Sequence, residues 1–246
     1  MDVYKISILI PRITSLAYMC VMLAWIFLAE GGLGTTFTTV FGWHALMMSI
    51  AMILLQESIL TPRNSIWKIC GSRVNSSTVK WVHVVLNVTV LVSIAGGIAA
   101  IVQYKNLSPQ PVVYPFYVMY SPHSWSAIVF LIMFAAQVLV GMITHNFTLI
   151  QNHDIHRFLG SCVYTTGLLV CCLGLQDMQS SDLCGSVPPS VDTSNFTQSQ
   201  LDNMGYYPNS SYSMLSCFAV ILLLLNSLST LTCVVFNKND KIKTVT

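Results

Sequence analysis

The feature that most constrains the fold is a series of six apolar runs, each long enough to cross a bilayer as a helix. A hydrocarbon core of about 30 Å needs roughly 20 helical residues. In this chain of 246 residues, 54% are hydrophobic and only 8% are charged, whereas a soluble domain carries about a quarter charged residues. We therefore expect an all-α membrane protein with six transmembrane helices. The predicted spans are residues 9–29, 38–60, 81–103, 122–144, 157–177 and 213–236.

The first of these runs has a second interpretation, as a cleaved signal peptide. Pro11 and Arg12 interrupt it, so that its uninterrupted apolar part is residues 13–29. That part is long for the apolar region of a signal peptide, and the segment 29–31, Ala-Glu-Gly, only approximates a cleavage site. We expect a retained span. Since no internal repeat is found, we also expect a single transmembrane domain over residues 1–246.

Basic residues are concentrated in the connections that would share one side of the membrane. Of the 11 lysines and arginines, all except Lys105 fall on that side if the spans alternate in direction. Cytoplasmic loops carry an excess of Lys and Arg, so both termini, including a tail at residues 237–246, are predicted to be cytoplasmic. The net charge of +2 gives no reason to expect a nucleic acid as a partner. Membrane lipid is the expected surrounding, and the sequence leaves open an endomembrane vesicle, a lysosome or vacuole, or the plasma membrane.

Two connections between the predicted spans are long. The inner one runs from Thr61 to Lys80, and Pro62 is expected to stop the second helix. The outer one, residues 178–212, is rich in Ser, Asn, Asp and Pro and has too little apolar surface to fold alone. It leads into the last helix, residues 213–236.

The outer side also carries candidate sites of covalent modification. Cys184 could pair with Cys217 or remain a free thiol, and the sequence leaves both open. Glycosylation motifs on the outer side predict a glycoprotein, whereas those on the inner side or within a span should be unused. The outer motifs are at Asn106, Asn195 and Asn209, and the others are at Asn75, Asn87 and Asn146.

Four successive spans each carry one histidine close to the point where the helix begins. These are His44, His83, His123 and His156. A lone histidine near a helix end often meets only a backbone carbonyl or lipid headgroups, but histidine inside a bilayer is costly and usually functional. Because successive spans run in opposite directions, His44 and His123 should share the outer face and His83 and His156 the inner face. The two layers should lie about 20 Å apart.

Two pairs of imidazoles at two depths suit two cofactors. Neutral imidazole is a common axial ligand of haem iron, and a pair of them leaves no open iron position, which favours electron transfer. No C-x-x-C-H attachment motif occurs, so the expected cofactors are two non-covalent b haems. Residues 38–177 are therefore predicted to form a central four-helix di-haem bundle.

Two further histidines, His145 and His153, compete with His156 as ligands. Both lie in the polar connection between the fourth and fifth spans. Gly160 favours His156, because a glycine one turn away lets a flat macrocycle approach the backbone closely. Other glycines in the spans could serve similarly or be ordinary small-residue helix contacts, and the second interpretation is preferred. They are Gly96, Gly97 and Gly141.

Short motifs surround these histidines: FGWHALM at 41–47, QESILTPR at 56–63 and MYSPHSW at 119–125. They resemble FNWHPVLM, GEAILVYR and MYSLHSW of the cytochrome b561 family. Lys80, three residues before His83, is similar to a lysine of that family's KxxxKxxH stretch, and His156 resembles the histidine of its HxxxG. The resemblance covers roughly residues 40–175, and MYSPHSW is its most specific part.

The resemblance implies an ascorbate-dependent transmembrane oxidoreductase with six helices and two b haems. It implies His44 with His123 as ligands of the outer haem iron and His83 with His156 as ligands of the inner one. A member of the family takes an electron from cytosolic ascorbate and delivers it to monodehydroascorbate or ferric iron on the other side. Whether the chain forms a homodimer is left open.

The same resemblance suggests where small molecules would bind. Lys80 and Arg63 would attract the ascorbate anion near the inner haem. The alternative for both is to anchor the inner side of the membrane, and substrate binding is favoured for Lys80 because it lies one turn from a ligand. Tyr120 and Ser121 are candidates for the outer acceptor site by their position beside His123.

The alternative function is a haem-free transporter that uses the histidines as a path for protons or metal ions. Such a protein should hold its ligands in one site near the midplane, often on broken helices. The predicted two layers of histidines, and Glu57 as the single carboxylate inside a span, favour the electron carrier.

Overall fold

Six long helices make up nearly all of the chain that the computed structural model describes. It describes residues 3–28, 31–64, 75–107, 121–146, 153–178, 197 and 210–236. The helices are α1 (Val3–Leu28), α2 (Phe37–Asn64), α3 (Ser76–Leu107), α4 (Pro122–Asn146), α5 (His153–Met178) and α6 (Ser210–Phe236). All six are long and apolar enough to cross a membrane. The prediction of an all-α, multi-pass membrane protein with six spans is confirmed.

The helices extend beyond the apolar runs at several ends. Helix α2 was expected to stop at Pro62, but it continues to Asn64, so that expectation was wrong. Proline lacks an N–H group and ends many soluble helices, yet membrane helices tolerate it where neighbouring groups satisfy the freed backbone. His145 and His153 were placed in a connection, but they lie in the last turn of α4 and at the first residue of α5.

The helices pack mainly as three neighbouring pairs: α2 with α3, α4 with α5, and α1 with α6. Helix α2 also contacts α1, α5 and α6, and its position links the pairs. The largest fully buried side chains include Tyr18 and Trp25 of α1 and Tyr164 of α5. Many large apolar side chains elsewhere are exposed, such as Phe158 and Trp81. Such a surface is expected where helices face lipid rather than water.

A buried polar cluster joins α1, α2 and α6, and we call it the Gln56 cluster: Thr14, Ser15, Gln56 and Asn226. The Ser15 hydroxyl donates to Gln56 Oε1 at 2.8 Å, and the Asn226 amide donates to the same oxygen. The Gln56 amide in turn donates to the carbonyl of Pro11 at 3.1 Å. Side-chain hydrogen bonds of this kind hold membrane helices together, because apolar burial gives no advantage over lipid.

An ion pair adds a second polar link between α1 and α2. Arg12 Nη2 lies 2.8 Å from Glu57 Oε2, with the two side chains 14% and 28% exposed. The carboxylate that the sequence placed inside the second span is therefore paired with a cation from the first.

Candidate functional site

The structure brings the four histidines of α2 to α5 together as two couples. The rings of His44 and His123 have centroids 6.3 Å apart and are nearly perpendicular, with an interplanar angle of 89°. The rings of His83 and His156 have centroids 6.1 Å apart at an angle of 73°. These are the couples expected from the alternating directions of the spans.

The two couples lie at opposite ends of the α2–α3 pair. His44 Nδ1 is 2.9 Å from the carbonyl oxygen of Gly97, and His83 Nδ1 is 2.8 Å from that of Ser58. Ser58 lies about four helical turns after His44, and Gly97 follows His83 at the same interval. The two helices are thus antiparallel, and at about 1.5 Å per residue this interval places the histidine layers about 21 Å apart.

The α4–α5 pair uses the same spacing. His123 Nδ1 is 2.9 Å from the carbonyl oxygen of Val170, which follows His156 at that same interval. Gln137 follows His123 at the same interval again, and its amide donates to the carbonyl of His156 at 2.9 Å. The two helix pairs therefore present their histidines at matching depths, although the sequence shows no repeat.

The carbonyl partners fix the tautomer of three of the histidines. A carbonyl oxygen only accepts hydrogen bonds, so the Nδ1 of His44, His83 and His123 must carry the proton. Their Nε2 atoms then carry the unprotonated lone pair that a metal could take, and at His83 the Asn87 amide nitrogen lies 3.4 Å from that atom. This arrangement, with the second ring nitrogen donating to a backbone carbonyl, is the usual one for metal-bound histidine.

The spacing of the couples fits a metal ion held between two imidazoles. A metal–nitrogen bond is about 2 Å long and the ring adds about 1 Å more on each side, so the centroids should lie about 6 Å apart. Within the described residues, no group of three or more His, Cys, Asp or Glu side chains could hold a metal ion. Haem iron needs only two protein ligands, since the porphyrin supplies the other four. The residues present therefore fit a haem in each couple.

Glycines give the histidine rings room against the neighbouring helices. A Cβ at Gly174 would lie 2.9 Å from Cε1 of His123, and one at Gly141 would lie 3.1 Å from Cε1 of His156. Gly160, expected to give a macrocycle access, instead faces the Gln137 amide, which a Cβ would approach to 2.9 Å. The sequence reasoning missed Gly174, because only the packing of α4 on α5 shows which ring it accommodates.

Two carboxamides flank the His83–His156 couple and were also missed. The Asn87 amide donates to the carbonyl of His83 at 2.8 Å, and the Asn87 and Gln137 nitrogens each lie 3.4 Å from the Nε2 of one of these histidines. Polar side chains inside apolar spans are costly and usually have a partner. That signal was present in the sequence and could have identified both residues.

The structure describes only some of the other predicted site residues. Lys80 is exposed near the start of α3. Ser121 is buried, and its Oγ accepts a hydrogen bond from the Ser124 amide at 3.3 Å, so that it caps α4 just ahead of His123. Tyr120 and the side chain of Arg63 lie outside the described residues.

Several further predictions also fall outside the described part of the chain. The side chains of the competing histidines are among them, and nothing in the structure tests their claim to be ligands. The same holds for the thiol proposed to pair with Cys217 and for two of the outer glycosylation motifs. The residues concerned are His145, His153, Cys184, Asn195 and Asn209.

A helical membrane protein with histidine couples of this geometry belongs to the class of transmembrane haem proteins that carry electrons. A comparison with protein families agrees: the family described as eukaryotic cytochrome b561 matches residues 43–181, more than half of the chain and all four histidines. The chain belongs to the eukaryotic cytochrome b561 family. It is therefore an oxidoreductase that binds haem b and transfers electrons across the membrane. No curated protein matches the chain.

Proposed function

We propose that the protein transfers single electrons from cytosolic ascorbate, through two b haems, to monodehydroascorbate or a ferric chelate on the other side of the membrane. The observation that carries this proposal is the pair of histidine couples, each with ring centroids about 6 Å apart, at two depths of the bundle. Two layers about 21 Å apart would extend over most of a hydrocarbon core of about 30 Å.

The histidines have the role of holding and orienting the cofactors. His44 with His123 would hold one haem and His83 with His156 the other, each through Nε2. Bound haem b supplies a one-electron carrier that alternates between ferric and ferrous iron. With two imidazoles holding each iron, the couples would leave no open position for oxygen, which favours electron transfer over oxygen chemistry. The apolar helices around the couples provide a low-dielectric wall that excludes water.

The donor site is proposed at the end of the bundle that carries His83. Lys80 lies one turn before His83 on α3 and is exposed, so its ammonium group can attract an anion from solution. Arg63, at the adjoining end of α2, is proposed as a second cation for the same anion. By the distribution of basic residues, this end faces the cytosol.

The acceptor site is proposed at the opposite end, near His123. Tyr120 and Ser121 are assigned to it by their position directly before the helix that carries this histidine. The hydroxyl of Ser121 caps α4, so its contribution to the acceptor site would be to fix the position of the helix start.

The haem-free transporter is the weaker candidate. It requires one ligand site near the midplane, whereas the described histidines form two layers. The carboxylate of Glu57, which such a path would use, is engaged by Arg12. The family match also favours electron transfer.

Purified protein in lipid vesicles tests the proposed donor. Ascorbate added on the side of the His83 end should reduce the haem and give split b-type absorption bands. Either His83→Ala or His156→Ala should abolish this reduction, because the electron would lose its entry point. An unaltered protein that binds haem but is not reduced by ascorbate would contradict the proposed donor.

Lys80→Ala tests the docking charge. We expect the ascorbate concentration for half-maximal reduction to rise about threefold or more, because one attracting cation is removed. Lys105→Ala, at the other end of α3, is the matched control and should leave that concentration unchanged. An effect of Lys105→Ala equal to that of Lys80→Ala would show that docking does not depend on this end of the bundle.

A further inference from the structure

Pro62 lies inside α2, two residues before the helix ends at Asn64. In an α-helix the N–H group of each residue donates to the carbonyl four residues earlier. Proline has no N–H group, and its ring also pushes against that carbonyl. The carbonyl of Ser58 is the one that Pro62 leaves without its helical donor.

The Ser58 carbonyl is the acceptor for His83. His83 Nδ1 lies 2.8 Å from this oxygen and 3.0 Å from the Ser58 hydroxyl oxygen. Ser58 is only 1% exposed, so water does not compete for the bond. The proline thus frees the one backbone oxygen that the imidazole of the neighbouring helix uses.

The other two histidine acceptors lack this feature. Gly97 and Val170 lie inside α3 and α5, and the residues four positions later, Ile101 and Gly174, both carry an N–H group. Those carbonyls are shared between a helical donor and an imidazole. The Ser58 carbonyl serves the imidazole without a helical competitor.

Asn87 forms hydrogen bonds to both residues of this contact, Ser58 and His83. Its amide donates to the Ser58 hydroxyl oxygen at 2.6 Å and to the carbonyl of His83 at 2.8 Å. Of the two Ser58 oxygens, the carbonyl is the closer to His83 Nδ1, at 2.8 Å against 3.0 Å, and we take it as the main acceptor for the imidazole. The position of His83 relative to α2 is fixed from both sides.

We propose that Pro62 is a positioning residue that strengthens the hydrogen bond from His83 to the Ser58 carbonyl and thereby lowers the reduction potential of the haem held by His83 and His156. The inference rests on the proposed function, because it requires His83 to be an iron ligand. A stronger hydrogen bond at Nδ1 places more electron density on Nε2, which stabilises ferric iron over ferrous iron. Pro62 acts through the Ser58 carbonyl, so it is a positioning residue rather than an iron ligand.

The test is a redox titration of the purified, haem-loaded protein with Pro62→Ala. Alanine restores an N–H group that competes for the Ser58 carbonyl, so the potential of the haem at His83 should rise. We expect a change of about three- to tenfold in its reduction equilibrium constant, where tenfold corresponds to about 59 mV for one electron. The potential of the haem at His44 should not change. The electron paramagnetic resonance signal of the ferric His83 haem should shift as well.

Thr61→Ala is the matched control, since it removes a neighbouring bond, from the Thr61 hydroxyl to the Glu57 carbonyl, and leaves the Ser58 carbonyl unchanged. Pro62→Gly restores the same N–H group without a side chain. A shift shared by both variants would therefore come from the N–H group and not from the alanine methyl group. Unchanged potentials in both Pro62 variants at full haem content, or an equal shift in Thr61→Ala, would overturn the inference alone. An unaltered protein that binds no haem would overturn the proposed function and the inference with it.

Discussion

Three histidines reach a backbone carbonyl of a neighbouring helix, and the local sequence makes each approach feasible in a different way. At Gly97 the acceptor itself has no side chain, and at Val170 the residue one turn later is Gly174, which leaves space for the ring. At Ser58 the helical donor is absent because of Pro62. At the scale of single residues, the site depends on small residues and one proline as much as on the histidines.

Gly174→Ala tests the importance of space beside His123. The new Cβ would lie 2.9 Å from Cε1 and 3.1 Å from Nδ1 of that ring, so the ring must move and its bond to Val170 must weaken. Overpacking of this kind costs about 1–3 kcal/mol. We expect the haem content of purified protein to fall at the His44–His123 couple and to stay normal at the other.

Gly96→Ala is the control for this prediction. Its Cβ would lie 3.7 Å from the nearest atoms of Met47, which is an ordinary contact. Haem content should therefore remain that of the unaltered protein. A Gly174→Ala protein with normal haem content and spectrum would show that the ring has more freedom than the packing indicates.

Sequence reasoning predicted the histidine couples but not their surroundings. One histidine per span and alternating helix directions were sufficient to place His44 beside His123 and His83 beside His156. The partners Ser58, Gly97 and Val170 could not be predicted, because a backbone carbonyl is available at every residue and only the rotation of each helix decides which one faces the ring.

At the scale of helices, the apolar runs predicted all six elements but not their ends. Hydropathy marks the part of a helix that lies in hydrocarbon, whereas hydrogen bonding continues through polar residues. Helix α3 accordingly begins at Ser76, although its apolar run was predicted from residue 81. The Asn75 side chain accepts a hydrogen bond from the Ser77 amide at 3.2 Å and caps this extension.

Helices α1 and α6 are joined to α2 by the hydrogen bonds of the Gln56 cluster. Gln56→Ala tests how much these bonds stabilise the protein. Gln56 is fully buried, and its loss leaves Ser15 and Asn226 without a shared partner. An unsatisfied buried polar group costs about 1–3 kcal/mol. We expect a lower thermal unfolding temperature in detergent with haem content unchanged, because among the described residues none of the cluster's hydrogen bonds involves a histidine.

Leu225→Ala provides the comparison, since Leu225 neighbours Asn226 but is 50% exposed. It should lower the unfolding temperature much less than Gln56→Ala does. Equal losses in the two variants would mean that the cluster adds nothing beyond ordinary helix contact.

At the scale of the whole molecule, the account requires the two ends of α3 to lie on opposite sides of the membrane. Asn75 and Asn106 are exposed and stand just before and near the end of this helix. In cells that carry the protein in the plasma membrane, with the His83 end in the cytosol, a membrane-impermeant thiol reagent on intact cells should label Asn106→Cys. It should label Asn75→Cys only after the cells are permeabilised.

Labelling of the unaltered protein gives the background that its native cysteines contribute. The reverse pattern would invert the proposed direction of electron transfer while leaving the histidine couples intact. Labelling of both variants in intact cells would contradict the predicted topology itself.

The most direct measurement of the central claim is the number of b haems per chain in the unaltered protein and in single histidine variants. The account predicts two haems per chain, and about one in His44→Ala and in His83→Ala, with the loss confined to a different spectral component in each. A colourless protein, or a haem content that does not change when these imidazoles are removed, would contradict it.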